Sequence, residues 1–205
     1  MSIGIQITQD TASPALRRLS ESLTDRTGLH ESIATRADVL TRRHLLRESR
    51  SRHTTARRLG ARPTGHLGRA AESVTGLGTA EAATVSVTSP GISRVGGDVE
   101  IKPVNGNWLT IPIHKLSYGR TVRYFEALSG LRLFRPGAPG AKKKVLSAMV
   151  GRGKSKKLVN FFALSKGVTL RQDRTLLPSD TEYLQSGLLG ARDYVRALRQ
   201  AGRQE

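Results

Sequence analysis

The stretch Trp108-Leu109-Thr110-Ile111-Pro112-Ile113-His114 limits the architecture more than any other part of the sequence. Leu109, Ile111 and Ile113 alternate with Thr110, Pro112 and His114, the period of two that marks a half-buried strand. Proline has no N–H to give to a ladder, so this strand belongs at a sheet edge or a bulge, with Pro112 on the outer side. Thr110, Pro112 and His114 then form the face that meets solvent or a neighbouring subunit. A second run, Leu158-Val159-Asn160-Phe161-Phe162-Ala163-Leu164, is apolar on both faces apart from Asn160 and suits a central position. These two strands are expected at the heart of the sheet.

The remaining elements are expected as follows. Ile3, Ile5 and Ile7 alternate in a short strand. Ser13-Pro14 starts a helix, by hydroxyl capping and a proline where its missing N–H costs nothing. That helix runs to about Thr27, burying Leu16, Leu19 and Leu23, and stops at Gly28. A second helix from near Glu31 carries Ile33, Ala37, Leu40 and His44 as one stripe. A short one over 64–73 buries Leu67, Ala70, Ala71 and Val74 and is ended by Gly76 and Gly78. Strands over 83–89 and 99–103, a turn at Gly96-Gly97-Asp98, and the hairpin signal Asn105-Gly106-Asn107 lead into the Trp108 strand as an antiparallel meander. A helix over 118–128 follows. Lys143–Val150 and Lys157–Lys166 pair as a second hairpin around Gly151–Ser155, and Val168–Arg171 forms another strand. Ser179 or Asp180 caps a last helix bearing Tyr183, Leu184, Leu188, Ala191, Tyr194, Val195 and Leu198. The expected fold class is therefore α+β, a single domain over 1–205, with amino-terminal helices and a carboxy-terminal helix packed on a mainly antiparallel sheet.

Charge is placed unevenly. Residues 36–72 hold ten arginines against Asp38, Glu48 and Glu72, and residues 117–167 hold twelve Lys or Arg against Glu126. These stretches carry +7 and +11, the whole of the chain's +18, so the basicity is local. Polyanions, most simply DNA or RNA, are the partner class this implies; a solvated basic surface, or one that pairs with an acidic neighbour, is the plainer alternative. Residues 49–63 have almost nothing to bury and are expected as a basic projecting arm without structure of its own. The residues expected to face a polyanion are Arg50, Arg52, Arg57, Arg58 and Arg62 of the arm, with Lys142, Lys143, Lys144, Lys154, Lys156 and Lys157 around the second hairpin. Nothing among these residues resembles a recognition helix that offers Asn or Gln beside Arg to base edges, so contact is expected with phosphates.

Catalysis and cofactors are not expected. There is no cysteine, and His30, His44, His53, His66 and His114 show no ligand spacing. No apolar run approaches about 18 residues, so no membrane span is expected, and the amino terminus lacks a signal-peptide layout. Expression in cytoplasm follows. The stretch from Ala148 to Gly153-Lys154-Ser155 fits a permissive phosphate-loop pattern, but alanine replaces the first glycine and the following run reads as strand. A basic hairpin tip is the better reading.

One resemblance extends over most of the chain. Arg62-Pro63-Thr64-Gly65-His66-Leu67 with Ala70-Ala71-Glu72-Ser73, then Val85–Val87, Leu109-Thr110-Ile111-Pro112 and Tyr118-Gly119-Arg120, follow an amino-terminal helical pair. In this order they resemble the phage virion morphogenesis proteins of Mu-like phages, and the wider group of tailed-phage neck, tail-completion and tail-terminator proteins. The resemblance implies a non-enzymatic virion subunit at the head–tail junction. It implies a ring, a hexamer or another cyclic oligomer, with neck, tail-tube or connector proteins as neighbours and DNA passing by non-specific charge contact. The rival class is a ribosome- or nucleoid-associated nucleic-acid-binding protein, which would interleave aromatics with its cations; Tyr118, Tyr124, Phe125, Phe134, Phe161 and Phe162 read mostly as core instead.

Overall fold

A helix that begins where an aspartate caps it sets the frame of the first half. In a computed structural model describing residues 24–104, 106–137 and 144–201, with Ser13, Leu16, Arg17, Ser20 and Glu21, the fold is α+β and divides into two compact units. One comprises 1–47, 67–92 and 175–205; the other 48–66 and 93–174. The expected strand at Ile3 to Ile7, Pro14, Leu19 and Leu23 lie outside the described residues. Ser13, Leu16, Arg17, Ser20, Glu21 and Thr24 are helical, and Leu16 is exposed rather than buried. The break comes at Asp25, not Gly28: its Oδ1 accepts the Thr27 N–H at 2.9 Å, which holds the carboxyl below its ordinary pKa and starts the next helix.

That helix, α1 (Thr27–Ser51), is the spine of the first unit. Its buried stripe is Ala34, Ala37, Thr41, His44 and Leu45, turned by one residue from the expected Ile33 and Leu40. The turn follows from how closely other backbones approach. A Cβ on Gly76 would lie 2.6 Å from the Ala34 carbonyl oxygen, and one on Gly190 would lie 2.8 Å from both Ile33 Cα and Ser32 O. Gly76 and Gly78 therefore do not end a helix. They belong to β1 (Val74–Gly78), which pairs antiparallel with β2 (Ala83–Val87). Preceding them are α2 (Thr54–Leu59), in the second unit, and α3 (His66–Glu72), which buries Leu67, Ala70 and Ala71 as expected. Asp38 pairs with Arg42 one turn on and accepts the Gly76 N–H at 3.1 Å, while Arg42 donates to the Ala71 and Val74 carbonyls.

The second unit is built on strands. After a 3-10 turn at Pro90–Val95 come β3 (Val99–Ile101) and β4 (Leu109–Pro112), then α4 (Val122–Ser129), β5 (Val145–Val150), β6 (Lys157–Ser165) and β7 (Val168–Leu170). The order β4-β6-β5 puts β6 in the centre and β4 at an edge, as the sequence indicates. The meander is not formed. β3 pairs with β7 and β4 with β6, both antiparallel, so 99–112 runs beside 162–170 and Gly106-Asn107 is a connection within that pairing; Asn105 lies outside the described residues. The local hairpin signal loses because β6 and β7 offer a longer apolar partner. Phe161 and Phe162, consecutive on β6 where its pairing with β5 shifts register, are both fully covered, and with Phe125 and Ala148 they form the core. Phe125 lies 4.7 Å from Phe161 and 5.8 Å from Phe162 between ring centroids.

Returning to the first unit, α5 (Asp180–Ala201) starts at a capping box, with Ser179 Oγ accepting the Glu182 N–H and Glu182 Oε2 accepting the Ser179 N–H at 2.8 Å. The Ser179 bonds hold the Glu182 carboxyl below its ordinary pKa. Leu184 and Leu188 are 66% and 55% exposed, so part of the helix's apolar stripe points outward.

The close approach at Gly190 yields a direct test. Gly190→Ala should destabilise by about 1–3 kcal/mol, because the new methyl meets backbone that cannot turn aside. Gly68→Ala, in α3 with nothing within 4 Å of the new methyl, should stabilise by about 0.5–1 kcal/mol. Thermal unfolding of both variants checks the contrast; equal small effects would show that α5 and α1 can part without penalty.

Candidate polyanion-binding surface

The two units differ in charge far more than in size. The second holds 22 of the chain's 34 Lys and Arg but five of its 16 Asp and Glu, which gives it +17 of the net +18. All five of those carboxylates have a partner within the unit. Glu48 and Asp173 both bind Arg52, and Asp173 also pairs with Arg94 at 3.3 Å. Glu100 meets Lys102 at 2.9 Å. Asp98 accepts the Gln172 N–H at 2.6 Å, and Glu126 accepts the Leu133 N–H at 2.8 Å. The acids are thus engaged in holding turns and helix ends, and most of the other described cations of the unit are exposed.

The residues 49–63, expected as an unstructured arm, instead contain the end of α1 and all of α2. Two contacts explain the order. Ala56 is buried, and Arg52 bridges Glu48, one turn back in α1, to Asp173 at 2.7 Å across 121 residues of sequence. Gly60, left-handed at φ 61, lets the Ala61 N–H return to the Ala56 carbonyl at 2.8 Å. Arg52 is therefore a structural cation, while Arg50, Arg57, Arg58 and Arg62 are exposed with no ion pair among the described residues.

The second hairpin forms as the sequence indicates, with Val145–Val150 paired to Lys157–Ala163. Its tip is a single 3-10 turn, Gly153–Ser155, that leads straight into β6. A phosphate loop needs a helix there, so the motif lacks its structural context. Lys154, Lys156 and Lys157 stand exposed at this tip, joined by Arg152, which the sequence reading passed over. Lys142 and Lys143 lie outside the described residues. Lys144 is exposed at the other end of β5, beside Trp108.

The edge strand behaves differently from its expected facing. Leu109–Pro112 are all half-buried, Ile113 is 38% exposed, and Thr110 and Pro112 stand opposite the covered Leu164 and Phe162. Because Leu164 and Phe162 are covered, the side of β4 that carries Thr110 and Pro112 is not a free polar face. Ile113 donates to Phe161 O at 2.9 Å. The alternation of an antiparallel ladder then turns the backbone of Thr110 and Pro112 to the open edge, while the His114 carbonyl accepts the Ser117 and Tyr118 N–H groups of the following turn. Pro112 has no N–H there, which blunts the edge against strand addition. His114 is half-buried, its ring 4.8 Å edge-on from Phe161, and its Nδ1 accepts the Leu116 N–H at 3.2 Å. A backbone N–H only donates, so Nδ1 is unprotonated. Burial, with Lys115 adjacent, holds the imidazole pKa below its ordinary value.

The aromatics divide. Phe125, Phe161 and Phe162 are core, but Tyr124 and Phe134 are 58% and 43% exposed, next in sequence to Arg123 and Arg135. Among the described residues no group of three His, Asp or Glu is placed to hold a metal, and no helix is long and apolar enough to cross a membrane. No protein-family model, curated protein or solved structure matches the chain.

Two predictions come from this geometry. Arg52→Ser should lower stability by about 1–3 kcal/mol, since it leaves Glu48 and Asp173 without their shared partner, yet leave polyanion affinity nearly unchanged; Arg57→Ser with Arg58→Ser should do the reverse. Melting curves and binding isotherms on both variants separate the roles. For His114, a folded pKa below the unfolded value means that the unfolded chain takes up the proton first as pH falls. Stability should therefore drop as pH falls below about 6.5, the unfolded value, and level off once the folded ring titrates. His114→Asn, which keeps an acceptor for Leu116, should flatten that drop; an unchanged profile would remove His114 as its source.

Proposed function

We propose that the chain is a structural virion protein of the head–tail junction, of the neck, tail-completion or tail-terminator kind, which forms a ring and turns its basic unit toward the DNA channel. The observation that carries the reading is the segregation of +17 into one unit whose five carboxylates are all engaged internally. Such a surface meets phosphate without reading sequence, as a channel that must let DNA slide requires. The resemblance in the order of the Pro63-Thr64-Gly65-His66-Leu67 turn, the following short helix and the Leu109–Pro112 strand supplies the virion context. Pro112 limits strand pairing at the β4 edge, so ring contacts through Thr110, Pro112 and His114 would be short rather than an extended ladder.

The exposure of Tyr124 and Phe134 favours a second reading, a cellular nucleic-acid-binding protein that stacks bases on aromatics. Oligomeric state and ligand preference discriminate the two. Size-exclusion chromatography with light scattering should give a closed ring for the virion subunit and a monomer for the rival. Binding of scrambled duplexes across a salt series should weaken with a slope of about −0.9 per phosphate neutralised, and the slope should become shallower when Arg50, Arg57, Arg58 and Arg62 are changed to Ser. A monomer that prefers one sequence, or single strands over duplex, overturns the virion reading. Salt-independent behaviour with assembly lost in the variant would mean that these arginines dock on an acidic neighbouring subunit.

A further inference from the structure

Trp108, the only tryptophan, has two cations over its ring: the Arg135 guanidinium carbon at 5.7 Å and the Lys144 ammonium at 5.9 Å from the centroid. Three separate stretches of chain converge there, and the strand order explains how. Trp108 immediately precedes β4, and Leu109 stands opposite Ser165 at the end of β6. On the other side of β6, the Leu164 N–H donates to Lys144 O at 2.7 Å, which puts Lys144 at the same end of the sheet. Phe134 exchanges both backbone hydrogen bonds with Ser147, each at 2.9 Å, so Arg135 hangs one residue from a fixed bridge on the β5 edge. Lys166 follows β6 at this end as well.

Two like charges held on one indole lie within about 12 Å of each other, the two ring distances end to end. Each is attracted by the ring face, and each repels the other. A guanidinium and an ammonium each donate to phosphate oxygens, and both residues are exposed. We propose that Arg135 and Lys144, presented by Trp108, form a discrete phosphate-binding point for the backbone of a nucleic acid. It lies at the opposite end of β6 from the Arg152–Lys157 tip, about 25 Å along a nine-residue strand at the usual rise. The inference rests on the reading of the second unit as the nucleic-acid-facing one, and adds a particular anchor within it.

The sole tryptophan makes the anchor observable without a label. A duplex of scrambled sequence, a thymidine oligonucleotide and inorganic polyphosphate would be titrated while Trp108 emission and bulk binding by anisotropy competition are followed together. All three should change the emission saturably, polyphosphate included, and salt should reverse the change. Arg135→Gln with Lys144→Gln should weaken binding by about tenfold and abolish the emission change. Lys154→Gln with Lys156→Gln should weaken binding but keep it. Duplex binding with wild-type emission unchanged at saturation overturns the anchor and leaves the proposed function standing. An emission change with the oligonucleotide but not with polyphosphate overturns it in favour of base stacking. Absence of binding by every polyanion overturns both.

Discussion

Contact between backbones, with no side chain between, is the constraint on which the first unit depends. α1 is approached by β1 at Gly76 and Gly78 and by α5 at Gly190, each without room for a Cβ. Everything else in the unit accommodates this closeness. The buried stripe of α1 uses Ala34, Ala37 and Thr41 where a bulkier residue would hold the neighbours off. Polar groups brought near by the approach are satisfied in place: Ser32 Oγ donates to Gly190 O at 2.8 Å, and Asp38 with Arg42 serves the backbone of α3 and β1. A close, small-residue junction gains dispersion contact and hydrogen bonds rather than large apolar area.

The second unit solves a different problem. It must hold a sheet together under a large excess of one charge, and it does so by covering Phe161, Phe162 and Leu164 of β6 and by keeping each carboxylate within reach of an internal donor. The same division leaves its surface predominantly cationic. Stability therefore resides in Phe125, Phe161 and Phe162 and in the Arg52–Asp173 bridge, whereas the proposed binding resides in residues that touch none of these.

Strong local patterns were legible in the sequence. The two-faced apolarity of Leu158–Leu164 marked the central strand, Pro112 marked the edge, and Ser179 followed by Glu182 marked the cap of α5. Patterns whose cause lies far along the chain were not. β1 was hidden because its two glycines, needed for contact with α1, read as helix terminators. The Asn105-Gly106-Asn107 hairpin signal was overridden by pairing with residues some sixty positions later. Residues 49–63 looked unable to fold because one buried alanine and one arginine bridged to Asp173 supply their order, and neither is a periodic signal. For the candidate site, clustered lysines at the tip could be read directly, but the meeting of Arg135 and Lys144 on Trp108 is a product of strand order.

A surface charged in this way also acts on its owner. Mutual repulsion among the outward cations opposes the compact state of the second unit, so dissolved salt, by screening it, favours folding. A bound polyanion does the same more strongly, and binding to the folded form alone adds to its stability by mass action. Ionic strength would thus pull in two directions, loosening such a ligand while tightening the empty protein. A polyanion bound in this way would be a missing counter-charge of the fold, and the unit would be most cohesive when loaded.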